Sequence, residues 1–161
     1  SPFSSADVDG SGGQDDTIRR KTLFYLVSTL NAAFFPDYDF SNSSSREFSK
    51  EHSLQDVMQS VERQLQLVSQ TQLLPLTEQL WLAIDEAIKL CQCEIYTYNP
   101  DESSDPYSDD GCVWSFNYFF YNRPLKRIVF FSCRLVSSIV PDSAIGYSHD
   151  SYIDPDMDFD Y

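Results

Sequence analysis

Two long strand-like segments late in the chain restrict its possible folds more than any other feature. Residues 113–121 and 126–134 flank a short turn at 122–125, a pattern that predicts a β-hairpin. Aromatic side chains that share one face of the first strand are Trp114, Phe116, Tyr118 and Phe120. The middle of the second strand is apolar on both faces. Such a hairpin needs cover on both sides, or on one side plus a partner.

Amphipathic segments upstream of the hairpin can supply this cover. The spacing of apolar residues predicts three helices, at about 17–34, 54–70 and 77–91. Ser53 is predicted to cap the second helix and Thr77 the third. Alternation of apolar and polar residues then predicts a shorter strand at 93–98. Three helices before three strands predict an α+β fold: an antiparallel sheet of long aromatic strands packed with three main helices, in a single globular domain.

The charge of the chain is strongly negative and unevenly distributed. Its 161 residues carry 11 Lys and Arg against 25 Asp and Glu, a net charge of −14. This excludes a protein that coats nucleic acid through a basic surface. Composition predicts a flexible acidic, Gly- and Ser-rich linker at 1–17, a globular domain at 18–136 and a disordered acidic tail at 137–161. No apolar run approaches the roughly 18 residues of a membrane helix, and no secretory signal is visible.

Several segments resemble a known eukaryotic family. The strongest begins Trp-Ser-Phe-Asn-Tyr-Phe-Phe-Tyr-Asn at Trp114 and continues to Arg134, and another reads Pro-Asp-Tyr-Asp-Phe-Ser from Pro36. The other matching segments are 20–26, 80–81 with 85–86, 95–101 and 104–106. Together they resemble the Maf-one family, the repressors of RNA polymerase III transcription. The resemblance spans about residues 19–135.

The resemblance implies a single globular unit without catalysis and without a cofactor. It further implies a monomer that is controlled by protein kinases and phosphatases and shuttles between nucleus and cytoplasm. Such proteins bind RNA polymerase III near its clamp and block promoter recruitment through the initiation factor. No direct contact with nucleic acid or membrane is expected. The family's N-terminal box is not recognisable in this sequence, and it is expected to contribute strands to the sheet.

Acidic residues cluster between the two predicted strands at 93–98 and 113–121. We expect this loop to contact basic patches on the polymerase, because complementary charge speeds association and orients partners. A plain solvated loop is the alternative. A metal site is a weaker one, since no recognisable ligand loop is present there or in the calcium-like Asp spacing of the tail. The candidate contact residues are Asp101, Glu102, Asp105, Asp109 and Asp110.

Basic residues form two short clusters. Arg123, Lys126 and Arg127 lie at the predicted hairpin turn and are candidates for partner contact, with ordinary strand-end charge as the alternative. The second cluster, a candidate nuclear-import signal, is Arg19, Arg20 and Lys21. Basic residues and serine-rich sequence near these positions also suggest phosphorylation, which would add about −1.5 to −2 charge. The candidate phosphorylation sites are Thr22, Ser44, Ser45 and Ser49.

Two other classes of function are open at this point. Four cysteines suggest zinc or a cysteine nucleophile, but the usual ligand spacing and a nearby histidine are missing, and Cys93, Cys112 and Cys133 fit strand positions. Disulfides are not expected. The aromatic face of residues 114–120 suggests a single-stranded RNA-binding module that stacks bases. Exposure of these rings would favour the RNA module, and burial would exclude it.

Overall fold

A four-stranded antiparallel sheet organises the computed structural model, which describes residues 18–68, 74–101, 105–108 and 110–137. Its spatial order is β1-β2-β3-β4, so among the described residues β1 and β4 form the edges. The strands are β1 Phe48–Glu51, β2 Glu94–Tyr98, β3 Cys112–Asn122 and β4 Arg127–Val136. The α+β class and the antiparallel sheet are confirmed, and β1 is a strand that the sequence did not predict.

Three α-helices complete the fold: α1 Arg20–Phe34, α2 Leu54–Val68 and α3 Leu74–Ile88. The side chain of Ser53 accepts a hydrogen bond from the Asp56 backbone N–H at 3.1 Å, which confirms the predicted cap of α2. The predicted cap of α3 is wrong, because the helix begins before Thr77 and encloses it. Pro75 is compatible with this earlier start, since first-turn residues need no intrahelical N–H donor.

Both faces of the sheet are covered, as the hairpin pattern requires. On one face, α2, α3 and the short turn after α3 pack on the sheet through Val57, Val61, Trp81, Ile84, Ile88 and Leu90, which meet Ile95, Phe116, Tyr118 and Phe120. On the other face, α1 and its flanking segments supply Ile18, Leu26, Leu30 and Phe40, which meet Phe48, Tyr96, Tyr98, Phe119 and Tyr121. The molecule therefore has three layers, with the sheet in the middle.

Burial of the aromatic strand excludes the RNA-stacking module. Phe116, Tyr118 and Phe120 retain only 6%, 8% and 0% of their accessible surface. Trp114 is half-buried and stacks on Phe116 with ring centroids 6.0 Å apart. Bases cannot stack on rings that α2 and α3 already cover. These side chains are core, and the RNA prediction is wrong.

Strands β2 and β3 separate part of the way along their length. They pair from Glu94 to Tyr96, but at Tyr98 the side chain of Asn117 takes the place of a backbone partner. The amide of Asn117 accepts from the Tyr98 N–H at 2.7 Å and donates to the Tyr98 carbonyl at 2.9 Å. The chain beyond β2 can therefore leave the sheet without stranding buried backbone groups.

Candidate functional site

An acidic cleft of about 490 Å³ opens where β2 ends. Four carboxylates line it, from two separate segments: Asp39 and Glu47 precede β1, and Asp101 and Asp105 follow β2. The remaining lining residues are Phe40, Asn42, Ser43, Ser44 and Tyr98. Because no lysine or arginine lines the described part of the cleft, its charge is uniformly negative. We call these four carboxylates and their neighbours the acidic cleft.

The segment before β1 is held against α1. The Asn31 side chain accepts a hydrogen bond from the Phe40 N–H at 2.7 Å, and the Phe40 ring is buried beside Tyr98. Asp39 accepts from the Ser41 hydroxyl at 2.6 Å and from the Ser41 N–H at 3.0 Å. These two bonds lower the pKa of Asp39 below its ordinary value. Asp39 is therefore fixed in place as a carboxylate.

Glu47 is also positioned by local hydrogen bonds. Its carboxylate accepts from the Ser44 N–H at 2.7 Å, while its own N–H donates to the Ser44 carbonyl at 3.1 Å. The Glu47 carbonyl then accepts from the Asn99 N–H at 2.6 Å, which links the two segments of the cleft. The residues at its two walls are thus joined through backbone as well as through packing.

The opposite wall of the cleft contains one exposed and one buried carboxylate. Asp101 is exposed, whereas Asp105 retains only 2% of its accessible surface. Asp105 accepts from the Tyr107 N–H at 2.8 Å, and from the Ser108 N–H at 3.1 Å and hydroxyl at 2.7 Å. This arrangement is an Asx turn, so Asp105 shapes the loop.

Two contacts fasten that turn to the edge strand β4. The Tyr107 hydroxyl and the Ser132 hydroxyl lie 2.6 Å apart, and Arg134 donates to the Pro106 carbonyl at 2.6 Å. Burial raises the pKa of Tyr107 to about 12, so its hydroxyl remains protonated at neutral pH. On either side of Asp101, Asn99 and the turn at 105–108 are therefore both anchored.

The structure separates the five acids that the sequence grouped. Asp101 lines the cleft, Asp105 is largely committed to the turn, and Asp110 is exposed but lies outside the cleft lining. Glu102 and Asp109 lie outside the described residues. Sequence reasoning missed Asp39 and Glu47, which lie in the segment before β1. Because β1 was not predicted, nothing in the pattern brought the two segments together.

The basic residues at the hairpin turn contact different elements. Arg123 donates to Glu94 at 2.6 and 3.1 Å, and Arg127 donates to the Ala87 carbonyl in the last turn of α3 at 3.2 Å. Lys126 is exposed and has a φ of 53°, so it belongs to the turn. The sequence-based prediction that the strand begins at Lys126 is wrong, because β4 begins at Arg127. A cation at a helix C-terminus is favourable, which gives Arg127 a structural role.

Accessibility distinguishes the remaining candidates. The import candidates Arg19, Arg20 and Lys21 are all exposed. Among the phosphorylation candidates, Ser44 and Ser49 are exposed and Ser45 is half-buried. Thr22 retains 1% of its accessible surface and accepts from Arg123 at 3.4 Å. A kinase would reach Thr22 only after the start of α1 opened.

Comparison with known proteins places the chain in a family. The model of the Maf1 regulator family matches residues 1–132. The chain belongs to this family. The family named on the resemblance of its motifs is therefore confirmed.

Relatives and solved structures agree with this membership. A Dictyostelium discoideum protein named repressor of RNA polymerase III transcription is 42% identical over 136 residues, covering 84% of this chain and 48% of that protein. Its Schizosaccharomyces pombe counterpart is 39% identical over 130 residues, covering 81% and 53%. The chain thus spans about half the length of these relatives. A crystal structure of citrus MAF1 matches with a TM-score of 0.58 and 42% identity, covering 74% of this chain and 70% of that one.

None of the described features indicates a metal centre or a membrane span. Within the described ranges, no group of three or more His, Cys, Asp or Glu side chains is arranged to hold a metal ion. All four cysteines are free thiols. Cys112 and Cys133 occupy strand positions as expected, whereas Cys93 directly precedes β2 and is not part of it. None of the described helices is long and apolar enough to cross a membrane.

Proposed function

We propose that this chain represses transcription by RNA polymerase III by binding the polymerase, with the acidic cleft as a contact surface. The relatives that carry the name repressor of RNA polymerase III transcription support the biological role. The cleft is the observation that supports the mode of action. It presents carboxylates in fixed positions, and the chain acts through binding and not through catalysis.

The chemistry of the cleft favours a basic partner surface. Asp39 and Asp101 line the cleft from two segments that the hydrogen bond between the Asn99 N–H and the Glu47 carbonyl joins. Their neighbours are hydroxyl and amide groups, which hydrogen-bond a lysine or arginine without neutralising the cleft. Pre-formed charge of this kind mainly speeds encounter and fixes orientation. A basic patch near the polymerase clamp is the partner we propose.

The finer parts of the proposal concern regulation and location. Binding near the clamp would block recruitment of the polymerase by its initiation factor. Phosphorylation of Ser44, which lies in the cleft lining, would add negative charge beside Glu47 and change the fit of a basic partner. The exposed Arg19–Lys21 segment would support shuttling between cytoplasm and nucleus.

A pulldown of purified RNA polymerase III tests the proposed contact. The variant Asp39→Asn/Asp101→Asn removes two charges from the cleft and keeps the shape of both side chains. Glu78→Gln/Glu86→Gln removes two exposed charges from α3 and is the matched control. We expect the cleft variant to lose most of the polymerase recovered at low salt, while the control retains it. Equal recovery by both variants would exclude the cleft as the contact.

A further inference from the structure

A second polar pocket, of about 230 Å³, lies at the other end of β2. We call it the basic pocket, and its charged residues are Arg19, Lys50, Glu94 and Arg123. Ile18, Thr22 and Tyr96 complete its lining. Four separate segments supply these residues: the start of α1, strand β1, strand β2 and the hairpin turn. Nothing in the proposed polymerase contact uses this pocket.

The charges of the basic pocket do not cancel. Arg123 donates two hydrogen bonds to Glu94 Oε2, at 2.6 and 3.1 Å, and Lys50 Nζ lies 3.5 Å from Glu94 Oε1. One carboxylate therefore serves two cations, and Arg19 adds a third. The pocket holds three positive groups against one negative group, a surplus of two, in a chain whose net charge is −14.

Arg123, the central cation of the basic pocket, is held in place by its neighbours. The Arg123 guanidinium lies 5.0 Å from the centroid of the Tyr121 ring, and its Nη2 also donates to the buried Thr22 hydroxyl at 3.4 Å. Burial and the neighbouring Glu94 raise the pKa of Tyr96 to about 12, so its hydroxyl stays protonated and donates to Glu94 Oε1 at 3.5 Å. Arg123 is therefore oriented in the free chain, which limits the affinity that a ligand would lose to its reorganisation.

The geometry points to a binding site for a phosphate dianion, which would contact Arg19, Lys50 and Arg123. A phosphate group carries about −1.5 to −2 charge at neutral pH, which matches the surplus charge of the pocket. Its tetrahedral oxygens can accept from donors that approach from several directions, whereas one carboxylate satisfies only part of them. The ligand can be inorganic phosphate or a phosphate ester on a peptide.

Calorimetric titration of the chain with inorganic phosphate at constant ionic strength tests this site. The variant Arg19→Gln/Lys50→Gln removes two cations and leaves the Arg123–Glu94 pair intact. Arg46→Gln/Arg63→Gln, at two exposed positions outside the pocket, removes the same charge and is the control. We expect the pocket variant to bind phosphate at least tenfold more weakly, about 1.4 kcal/mol, and the control to bind like the parent chain.

A third variant reverses the expected effect. Glu94→Gln raises the surplus charge of the pocket, so phosphate should bind several-fold more tightly than in the parent chain. Phosphoserine, titrated beside serine, distinguishes an ester from free phosphate: tighter binding of phosphoserine than of inorganic phosphate assigns the ester. Phosphate binding that is equal in the parent chain, the pocket variant and the control would overturn the site. Absence of phosphate binding beyond the effect of chloride would overturn it as well.

Discussion

The acidic cleft and the basic pocket lie on the same face of the sheet, at opposite ends of β2, and balance their charges differently. In the cleft, carboxylates accept hydrogen bonds from neutral groups, as Asp39 does from Ser41. In the pocket, Glu94 accepts from two cations. Neutral donors hold a carboxylate in place and leave its charge available to a partner. An ion pair holds it equally well but cancels the charge, so only surplus cations remain.

This contrast explains how a strongly acidic chain keeps one positive site. Glu94 lies in the basic pocket at one end of β2, and Tyr98 lies in the acidic cleft at the other. The two residues are four positions apart, about 13 Å along the strand. Charges at this distance are screened at physiological ionic strength, where the Debye length is about 8 Å. The two sites can therefore bind different partners with little mutual interference through solvent.

The largest expected loss of stability comes from Asn117, whose side chain replaces the backbone pairing of β2 and β3 at Tyr98. Asn117→Ala leaves the N–H and carbonyl of Tyr98 without their buried partners. At roughly 1–3 kcal/mol for each of the two stranded groups, the free energy of unfolding should fall by about 2–6 kcal/mol. Urea denaturation measures this fall. Asn99→Ala is the control, because the hydrogen bond that Asn99 donates to Glu47 comes from its backbone.

The comparison also predicts which end of β2 opens first when Asn117 is replaced. Hydrogen exchange should accelerate in Asn117→Ala around Tyr98 and the acidic cleft before it accelerates around Glu94, where β2 and β3 pair through their backbones. Uniform acceleration along β2 would show that the two ends of the strand open together, and that the cleft has no separate support.

A smaller loss of stability is expected for Asp105 than for Asn117, and a still smaller one for Asp101, the other acid that follows β2 in the cleft. Asp105→Ala removes three hydrogen bonds from a partly buried turn and should cost about 2 kcal/mol of unfolding free energy. Asp101→Ala, at an exposed position, should cost less than about 0.5 kcal/mol. Thermal unfolding of the two variants gives both values. Equal costs would contradict the assignment of Asp105 to the turn and Asp101 to the surface.

The smallest expected effect is a pH dependence at the basic pocket. Partial burial works to raise the pKa of Glu94, but hydrogen bonds and charge from Arg123, with help from Lys50, outweigh it and lower the pKa. A lowered folded-state pKa stabilises the chain above the ordinary value of 4.5, and this contribution is lost as the pH falls through the folded-state value. Glu94→Gln should remove it, costing about 0.5–1 kcal/mol at pH 7.

Unfolding in urea at pH 7 and at pH 3.5 measures that dependence. The difference between the two pH values should shrink in Glu94→Gln and persist in Glu86→Gln, which changes an exposed carboxylate on α3. A Glu94→Gln variant with the full pH dependence of the parent chain would show that the ion pair contributes nothing to acid sensitivity.

Sequence patterns predicted the parts of this molecule in which many apolar residues repeat. The hairpin of β3 and β4 and the cap at Ser53 carry strong local signals. Strand β1 does not, because only Phe48 among its four residues is buried. Its pairing with β2 is a long-range contact, and that contact brings Glu47 to Asn99.

The same limit applies to the candidate sites. Sequence spacing grouped acids that are near in the chain, whereas the cleft joins Asp39 to Asp101 across the fold. Spacing also gave no sign that Asp105 and Thr22 are buried. Burial depends on which segments pack together, and local composition does not report it.

Transcription of a tRNA gene by purified RNA polymerase III together with its initiation factors tests the central claim most directly. Increasing amounts of the parent chain, Asp39→Asn/Asp101→Asn and Glu78→Gln/Glu86→Gln would be compared for half-maximal inhibition. Loss of two contact charges should raise the required concentration of the cleft variant about tenfold, while the control stays within about twofold of the parent chain. Inhibition by the cleft variant at the concentration of the parent chain would contradict the acidic cleft as the repressing surface.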